Sequence, residues 1–344
     1  MSRIPGMSWS ILPVANLAEH AQAWDGLNAV AAKLPIMDAE FLLALLEHFG
    51  TGGERLVLGH LNGQPAAAAI VAKHPAGRWA TFQPSQAPLG AWLARPEIAG
   101  PALWRSLLRS LPGPALLLGI SQQDPCLAER PPDGDSIRTV DYIETAAITN
   151  PGTFAEYWAR RGQNLRHNLQ KQRNRLDRQQ VRVRLQVIEG PEAVAAAVDD
   201  YGRLESQGWK AGEGTTLHPD NAQGRFYRLA LSRLAGRGEA TVYQYWFNDT
   251  LAATDLCVHR DGVLIILKTT HCEEFSKVSA THLMRQEYFE QLFSSGAVRR
   301  IEFYGKLMDW HTKWSDEIRR MYHVNVWRWP ALASLKARWD ARRA

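Results

Sequence analysis

Cysteine is scarce. The 344 residues contain three, Cys126, Cys257 and Cys272. They are scattered, odd in number and outside any CxxC or Cys/His spacing. A disulfide framework and a zinc site are therefore not expected, and the simplest reading is a reduced, cytoplasmic protein. Long apolar runs are also missing. The opening "MSRIPGMSWSILPV" has no continuous apolar core of the signal-peptide kind, and stretches such as "PALLLGI" (114–120) are far too short to span a bilayer. Charge is nearly balanced: the formal net charge of +5 does not by itself argue for nucleic acid. No GxSxG, phosphate-binding P-loop or HExxH motif occurs. Tryptophan, in contrast, is plentiful at 13. Indoles fill cores, and they also line grooves for a sugar or an acyl chain.

Turn chemistry and periodicity place the elements. "DAEFLLALLEHF" (38–49) reads as an amphipathic helix with Asp38 as its cap. It leads into strand, Asn62-Gly63 turn, strand, Pro-Ala-Gly turn and strand. Residues 99–111 read as a helix, "PALLLGIS" as a buried strand, 124–136 as a loop and "RTVDYIET" as a strand. The second half repeats this grammar over 240–270, with turns at Asn248-Asp249 and Arg-Asp-Gly. "NGQPAAAAIVAKHPAG" (62–77) matches "NDTLAATDLCVHRDG" (248–262) in turn, small-residue strand, His, turn and Gly. A helix at about 280–295 ends at Gly296. A strand "VRRIEFYG", a loop, a strand "RMYHVNVWR" and a C-terminal helix complete the chain. A duplicated unit explains the pattern.

Between the halves lies "RRGQNLRHNLQKQRNRLDRQ" (160–179), with seven Lys or Arg and one acid, Asp177. Phe154, Trp158, Leu165, Leu169 and Leu176 are spaced 4, 7, 4 and 7, a narrow apolar stripe on a helix over about 153–180. Gly162 is a point of interruption, with Asn164 as a new cap. The bases do not form one face. They read first as a solvated surface, next as contacts to a phosphate-bearing ligand, and last as a reader of duplex nucleic acid.

Three further stretches carry candidate chemistry. In "LESQGWKAGEGTT" (204–216), Glu205, Trp209 and Lys210 precede a Gly-rich turn, and Trp with Lys can form a stacking wall bearing a cation. In "KTTHCEEFSKVSATHLMRQEYF", Ser279 and Thr281 stand where a helix begins, a place for a cap or for phosphate on free N–H groups. His271 and Cys272 are adjacent in a strand and point to opposite faces, which speaks against a nucleophile pair. In "IEFYGKLMDWHTKWSDE" (301–317), Glu302 lies in a strand expected to end at Gly305. Asp309, His311, Lys313 and Trp314 follow in an expected loop, where a His/Asp pair could act as a base.

In this order the motifs "NLRHNLQKQRNRL", "LESQGWKAGEG", "FSKVSATHLM" and "IEFYGKLMDWHTKW" resemble the two-lobed, CelD/Fem-like branch of the GNAT acyltransferase superfamily, a bacterial group. The match covers about 150–328, and the first lobe matches by architecture. Ala280-Thr281 stands where the family often has Pro-Gly, Glu302 where it often has Asp, and Thr312 where Tyr often precedes Lys. The Q/R-x-x-G-x-G/A pyrophosphate loop is absent. The resemblance implies an α+β fold of two tandem lobes, 1–150 and 151–344, each a mixed, mostly antiparallel sheet flanked by helices. It implies N-acyl transfer by direct attack of an amine on a thioester or ester. Glu302 is expected as base or amine orienter, Lys313 as electrostatic stabiliser and His311 as reserve base. Glu205, Trp209, Lys210, Lys268, Tyr304 and Trp314 are expected at the acceptor. Backbone and side chains at Ser279, Ala280, Thr281, His282 and Leu283, with Arg166, are expected at the donor. No metal or bound cofactor is implied. The donor is acyl-CoA as co-substrate, an acyl carrier protein or an aminoacyl-tRNA; the acceptor is an amine on a small metabolite or a glycan or envelope precursor. DNA and a membrane-spanning role are not expected. A binding protein with a decayed site is the reading from another class.

Overall fold

The computed structural model describes residues 4–206 and 217–341, and within them the chain divides into two units. The first comprises Met1–Glu144 together with Arg319–Ala344, and the second Thr145–Ile318. The sequence reading had placed 319–344 with the second lobe. The structure moves it to the first, because the strand there completes the first unit's sheet.

In the first unit the chain runs β1 (Met7–Pro13), α1 (Ala21–Ala31), α2 (Ala39–Phe49), β2 (Arg55–Leu61), β3 (Gln64–His74), β4 (Arg78–Thr81), β5 (Trp92–Ala94), α3 (Gly100–Ser110) and β6 (Leu117–Gln123). Next, β7 (Ile137–Thr149) leads into the second unit, which continues α4 (Phe154–Ala159), α5 (Gln163–Arg178), β8 (Val183–Ile188), α6 (Pro191–Ser206), α7 (Ala222–Gly236), β9 (Ala240–Phe247), β10 (Thr250–Arg260), β11 (Val263–His271), α8 (Ala280–Ser294), β12 (Arg300–Glu302) and α9 (Asp309–Trp314). Last come β13 (Glu317–Trp327) and α10 (Pro330–Ala341).

Within the first unit the strand order is β1-β2-β3-β4-β6-β13, with β5 on β3; within the second it is β8-β9-β10-β11-β12-β7. Both are antiparallel except at one place, β4 beside β6 and β11 beside β12. Each unit therefore runs strand, two helices, three-strand meander, helix, parallel strand. In the first unit β6 is paired next by β13, from the end of the chain, and in the second β12 is paired next by β7, from the start of that unit. The repeat read from the turns is thus a repeat of topology. The same sharp turns recur, with Ala76 and Gly77 at φ 57° and 69° and Asp261 and Gly262 at φ 51° and 80°.

Burial follows the period-2 alternation of the strands. In the second unit Tyr243, Tyr245 and Phe247 face a core made with Leu169 and Leu176 of α5 and Leu283, Tyr288 and Phe289 of α8. Gln244, between them, bonds Asp200 of α6 (3.1 Å) on the other face. In the first unit Val57, Ala69, Val71 and Ile120 pack on Leu103, Trp104 and Leu107 of α3 and on Tyr322, Val324 and Val326 of β13. Arg319 anchors β13 there through a bidentate, buried pair with Asp124 (2.8 and 2.7 Å).

Three local expectations are corrected. Asp38 precedes α2 but makes no capping bond; its carboxylate accepts instead from Asn28 (2.6 Å), which also donates to Leu34. The interruption expected at Gly162 separates α4 from α5, but Gly162, rather than Asn164, is the residue before α5. Residues 309–314 form helix α9, not a loop, because His311 caps its first turn by accepting from the Met308 amide (2.9 Å).

The paired glycine turns give a stability prediction. A Cβ on Gly77 would lie 2.1 Å from the Pro114 carbonyl oxygen, whereas on Gly262 it would come no nearer than 3.4 Å to anything, the Arg299 side chain. Both substitutions to Ala incur the left-handed backbone cost of about 1–2 kcal/mol. Gly262→Ala should cost about that, and Gly77→Ala clearly more, when unfolding is followed in urea. Equal losses would contradict the close approach.

Candidate active site

The second unit contains a point where its sheet opens. β11 and β12 pair only over Val263–Ile265 and Arg300–Glu302. Two residues later β11 carries a bulge: Cys257 of β10 faces Ile266 and Leu256 faces Lys268, so Leu267 is the extra residue. Beyond Ile265 the edge of β11 is turned away from β10 and, among the described residues, is not paired to β12. The bulge also re-phases the strand. Leu256 and Val258 are two apart and share a face, so their partners Lys268 and Ile265 share it too. Ile265 pairs Glu302. Lys268 thus stands on the face of Glu302, which an unbulged strand would not give.

On that face, Glu302 is buried and paired with Arg300 (Nε to Oε1, 2.6 Å). Arg300 reaches on to Thr149 and Glu317, each at 2.6 Å. Lys268 lies 5.8 Å over the ring of Tyr227 from α7. Glu205, at the end of α6, is buried and accepts from Tyr201 (3.1 Å) and from the Leu217 amide (2.7 Å). It thereby ties the chain on either side of 207–216. Trp209 and Lys210 lie outside the described residues.

The opposite face, toward α8, holds a group that the sequence reading missed. Asp255 and Arg285 are 0% and 1% exposed and form a bidentate pair at 3.0 and 3.2 Å. Tyr288 donates to Asp255 (2.8 Å), Arg285 donates to Thr269 (2.6 Å), and its guanidinium lies 4.2 Å over Trp310. An acid amid the small and apolar "AATDLCV" and a base on the apolar side of "HLMRQEYF" were the available signals, since a lone charge buried there requires a partner.

Trp314 does not line a groove. It is 0% exposed, stacks on His282 with 5.8 Å between ring centres, and donates from Nε1 to His282 Nδ1 (2.7 Å). Burial, then Arg285 and Lys313, push His282 down to about 3. His311 is buried against Trp310 (3.6 Å) and Phe303, and burial with Arg285 pushes it to about 4. Its Nδ1, which a base would use, accepts from Met308. Lys313 is exposed. Glu302 thus sits on the face opposite His311 and Trp314: Arg300 and Glu302 alternate with Ile301, which packs toward α8. Glu302 and His311 therefore do not meet on one face. Glu302, Lys268 and Glu205 share the other side.

At the expected donor end, Ser279 adopts a left-handed conformation (φ 58°, ψ 44°) and makes no side-chain cap. Its carbonyl accepts from the amides of His282 (2.9 Å) and Leu283 (3.1 Å). The Ala280 and Thr281 amides precede the first helical bond, as at any helix start. Leu283 and Ala280 side chains are buried. Tyr304, just past β12, is also left-handed (φ 49°) and mostly buried. Arg166 donates to the Arg161 carbonyl (3.1 Å) and closes the break before α5. Arg173 pairs with Glu287 of α8 (2.7 Å), and Arg161 with Asp316 (2.7 Å). Lys171, Arg175 and Arg178 are exposed.

Residues 163–312, which span this opening, match the model of an acetyltransferase (GNAT) domain family. The second unit carries a GNAT acetyltransferase domain. Among solved structures the chain is similar to the C-terminal domain of a protein described as a lysylphosphatidylglycerol synthetase from Agrobacterium fabrum, at 14% identity over 93% of this chain and 96% of that one, TM-score 0.57. It is similar to L-PGS from Bacillus licheniformis at 16% identity over 85% and 92%, TM-score 0.53. It is also similar to FemX at 10% identity over 95% and 99%, TM-score 0.56. At these identities the likeness is one of fold. No curated protein matches the chain. Among the described residues no helix is long and apolar enough to cross a membrane.

Two predictions follow from this geometry. Asp255→Ala leaves Arg285 buried without its counter-charge and should destabilise by about 3–5 kcal/mol; a loss under 1 kcal/mol in denaturant titration would remove the pair from its structural role. His282 and His311 are neutral in the fold, well below the ordinary 6.5. On acidification the unfolded chain therefore takes up protons first, and stability falls from about pH 6.5 toward the folded values of about 4 and 3. His282→Gln should flatten the decline of stability between pH 7 and 5; an unchanged slope would refute the assignment.

Proposed function

We propose that the protein transfers an acyl group from acyl-CoA to the amine of a small metabolite or envelope precursor, by direct attack at the opening between β11 and β12. The parting of these strands beside the Leu267 bulge carries this reading. The donor's amides and carbonyls would extend the edge of β11 beyond Ile265 as an added strand, and backbone N–H groups there would receive the oxyanion. The amides of Ala280 and Thr281 would meet the donor's phosphates at the start of α8. The amine would enter from the side of α6 and α7, where Glu302 and Lys268 share a face. Glu302, held by Arg300, orients the amine and receives its proton. Lys313, exposed and close enough to depress His282, would act on charge at the other side of the opening.

Tight positioning of amine and thioester supplies much of the rate in such a transfer, because no covalent enzyme intermediate shares the barrier. The polar groups near the amine therefore act on proton removal and charge.

A second reading, Fem-type aminoacyl transfer from tRNA, is favoured by the exposed Lys171, Arg175 and Arg178 on α5. It predicts activity that falls steeply with salt. Under the first reading, acyl-CoA raises the melting temperature and tRNA does not. Glu302→Gln and Lys313→Ala, each shown to remain folded, should lower turnover about 100-fold. Near-parental rates in both would sink the assignment, and stabilisation by tRNA alone would transfer it to the second reading.

A further inference from the structure

We infer that helix α10 is a docking surface for a membrane rich in anionic lipid. The helix is held to the first unit at its start, where Arg328 donates to the carbonyls of Leu108 (3.3 Å) and Ala115 (3.4 Å). Along the helix, Ala333 is the buried residue among those whose side chains are described. At roughly 100° per residue, Leu332, Leu335 and Trp339 fall within about 60° of one another, and Ala333 lies about 130° from the middle of that stripe. Leu335 is 66% exposed and Trp339 48%. Trp329, just before the helix, is 53% exposed. The helix is thus apolar on two sides: one packs on the first unit, and the other meets solvent.

Cations frame the outward stripe. By helical spacing Lys336 falls on one flank and Arg338 on the other, and both are exposed. Lys336 lies over the Trp339 ring (5.1 Å) and Arg328 over the Trp329 ring (5.9 Å). No acid occurs from Arg328 to Trp339; Asp340 follows, and then Arg342 and Arg343. In a bilayer interface indoles settle at the headgroup level, aliphatic side chains lie just below it, and Lys and Arg meet anionic phosphates. A helix with an apolar stripe between two cationic flanks suits that plane, and its charge favours an anionic leaflet over a neutral one. The same charge disfavours a second copy as the occupant, because two stripes face to face would bring Lys336 and Arg338 against their own kind. A nucleic acid would meet the cations but would gain nothing from Leu335, the most exposed large apolar side chain among the described residues. This surface is independent of the function proposed for the second unit.

The test is cosedimentation of the full chain with vesicles, either of phosphatidylcholine alone or of an equal mixture with phosphatidylglycerol. Neither lipid offers a free amine, so acyl transfer does not enter the measurement. The chain should bind the mixed vesicles at least about tenfold more tightly than the neutral ones, and lose that advantage in high salt. Lys336→Gln with Arg338→Gln should weaken binding to mixed vesicles about thirtyfold, the scale set by two cations near an anionic surface. Leu335→Ala with Trp339→Ala keeps both cations and should weaken it at least about tenfold. Trp339→Ala alone serves if the double variant melts below the parent. No binding to mixed vesicles, equal binding to the two compositions, or parental binding by Leu335→Ala with Trp339→Ala would each overturn the proposal. Dimerisation that this variant abolishes, without vesicle binding, would give the stripe to a second copy and overturn it too.

Discussion

The buried pair of Asp255 and Arg285 is the constraint on which the second unit's geometry depends. It draws together β10, the bulged part of β11 through Thr269, helix α8 and, through Trp310, helix α9. Two charges removed from water are stable only when their geometry and remaining hydrogen bonds are complete, and Tyr288 and Thr269 complete them. Such a network tolerates one register. It fixes where α8 begins relative to the sheet, and hence where the Ala280 and Thr281 amides stand.

The bulge at Leu267 then sorts side chains between faces. With it, Thr269 joins Asp255 and Arg285 on one side, and Lys268 joins Ile265 and Glu302 on the other. The α8 side is filled by aromatic rings around two neutral histidines, while the α6 and α7 side keeps carboxylates and a lysine. One inserted residue thus separates the structural charges from those available for chemistry. In the first unit the equivalent place is closed, because the Ser121 amide donates to Thr81 Oγ1 (2.9 Å). The two copies of one topology have diverged at the same point.

Much of this was legible in the sequence. The turns at Asn62-Gly63 and Asp261-Gly262 require left-handed backbone, so the meanders and their repetition could be read locally. The apolar stripe from Phe154 to Leu176 located the helices now seen as α4 and α5. Other features depend on partners remote in sequence. That Arg319 and Tyr322 complete the first sheet follows from contacts with residues some 190 positions earlier, such as Asp124. Trp314 read as a groove residue because a loop indole is ambiguous, whereas α9 turns it into the core against His282. The bulge has no local mark, since "LIILKTT" alternates no differently with or without it.

The central claim is that the donor lies against the edge of β11 beyond Ile265 and the start of α8. Hydrogen exchange on the full chain, with and without a non-hydrolysable acyl-CoA analogue, tests it most directly. Added protection should concentrate at residues 266–268 and 279–283. Exchange unchanged there, with protection confined to the first unit or absent, would contradict the account.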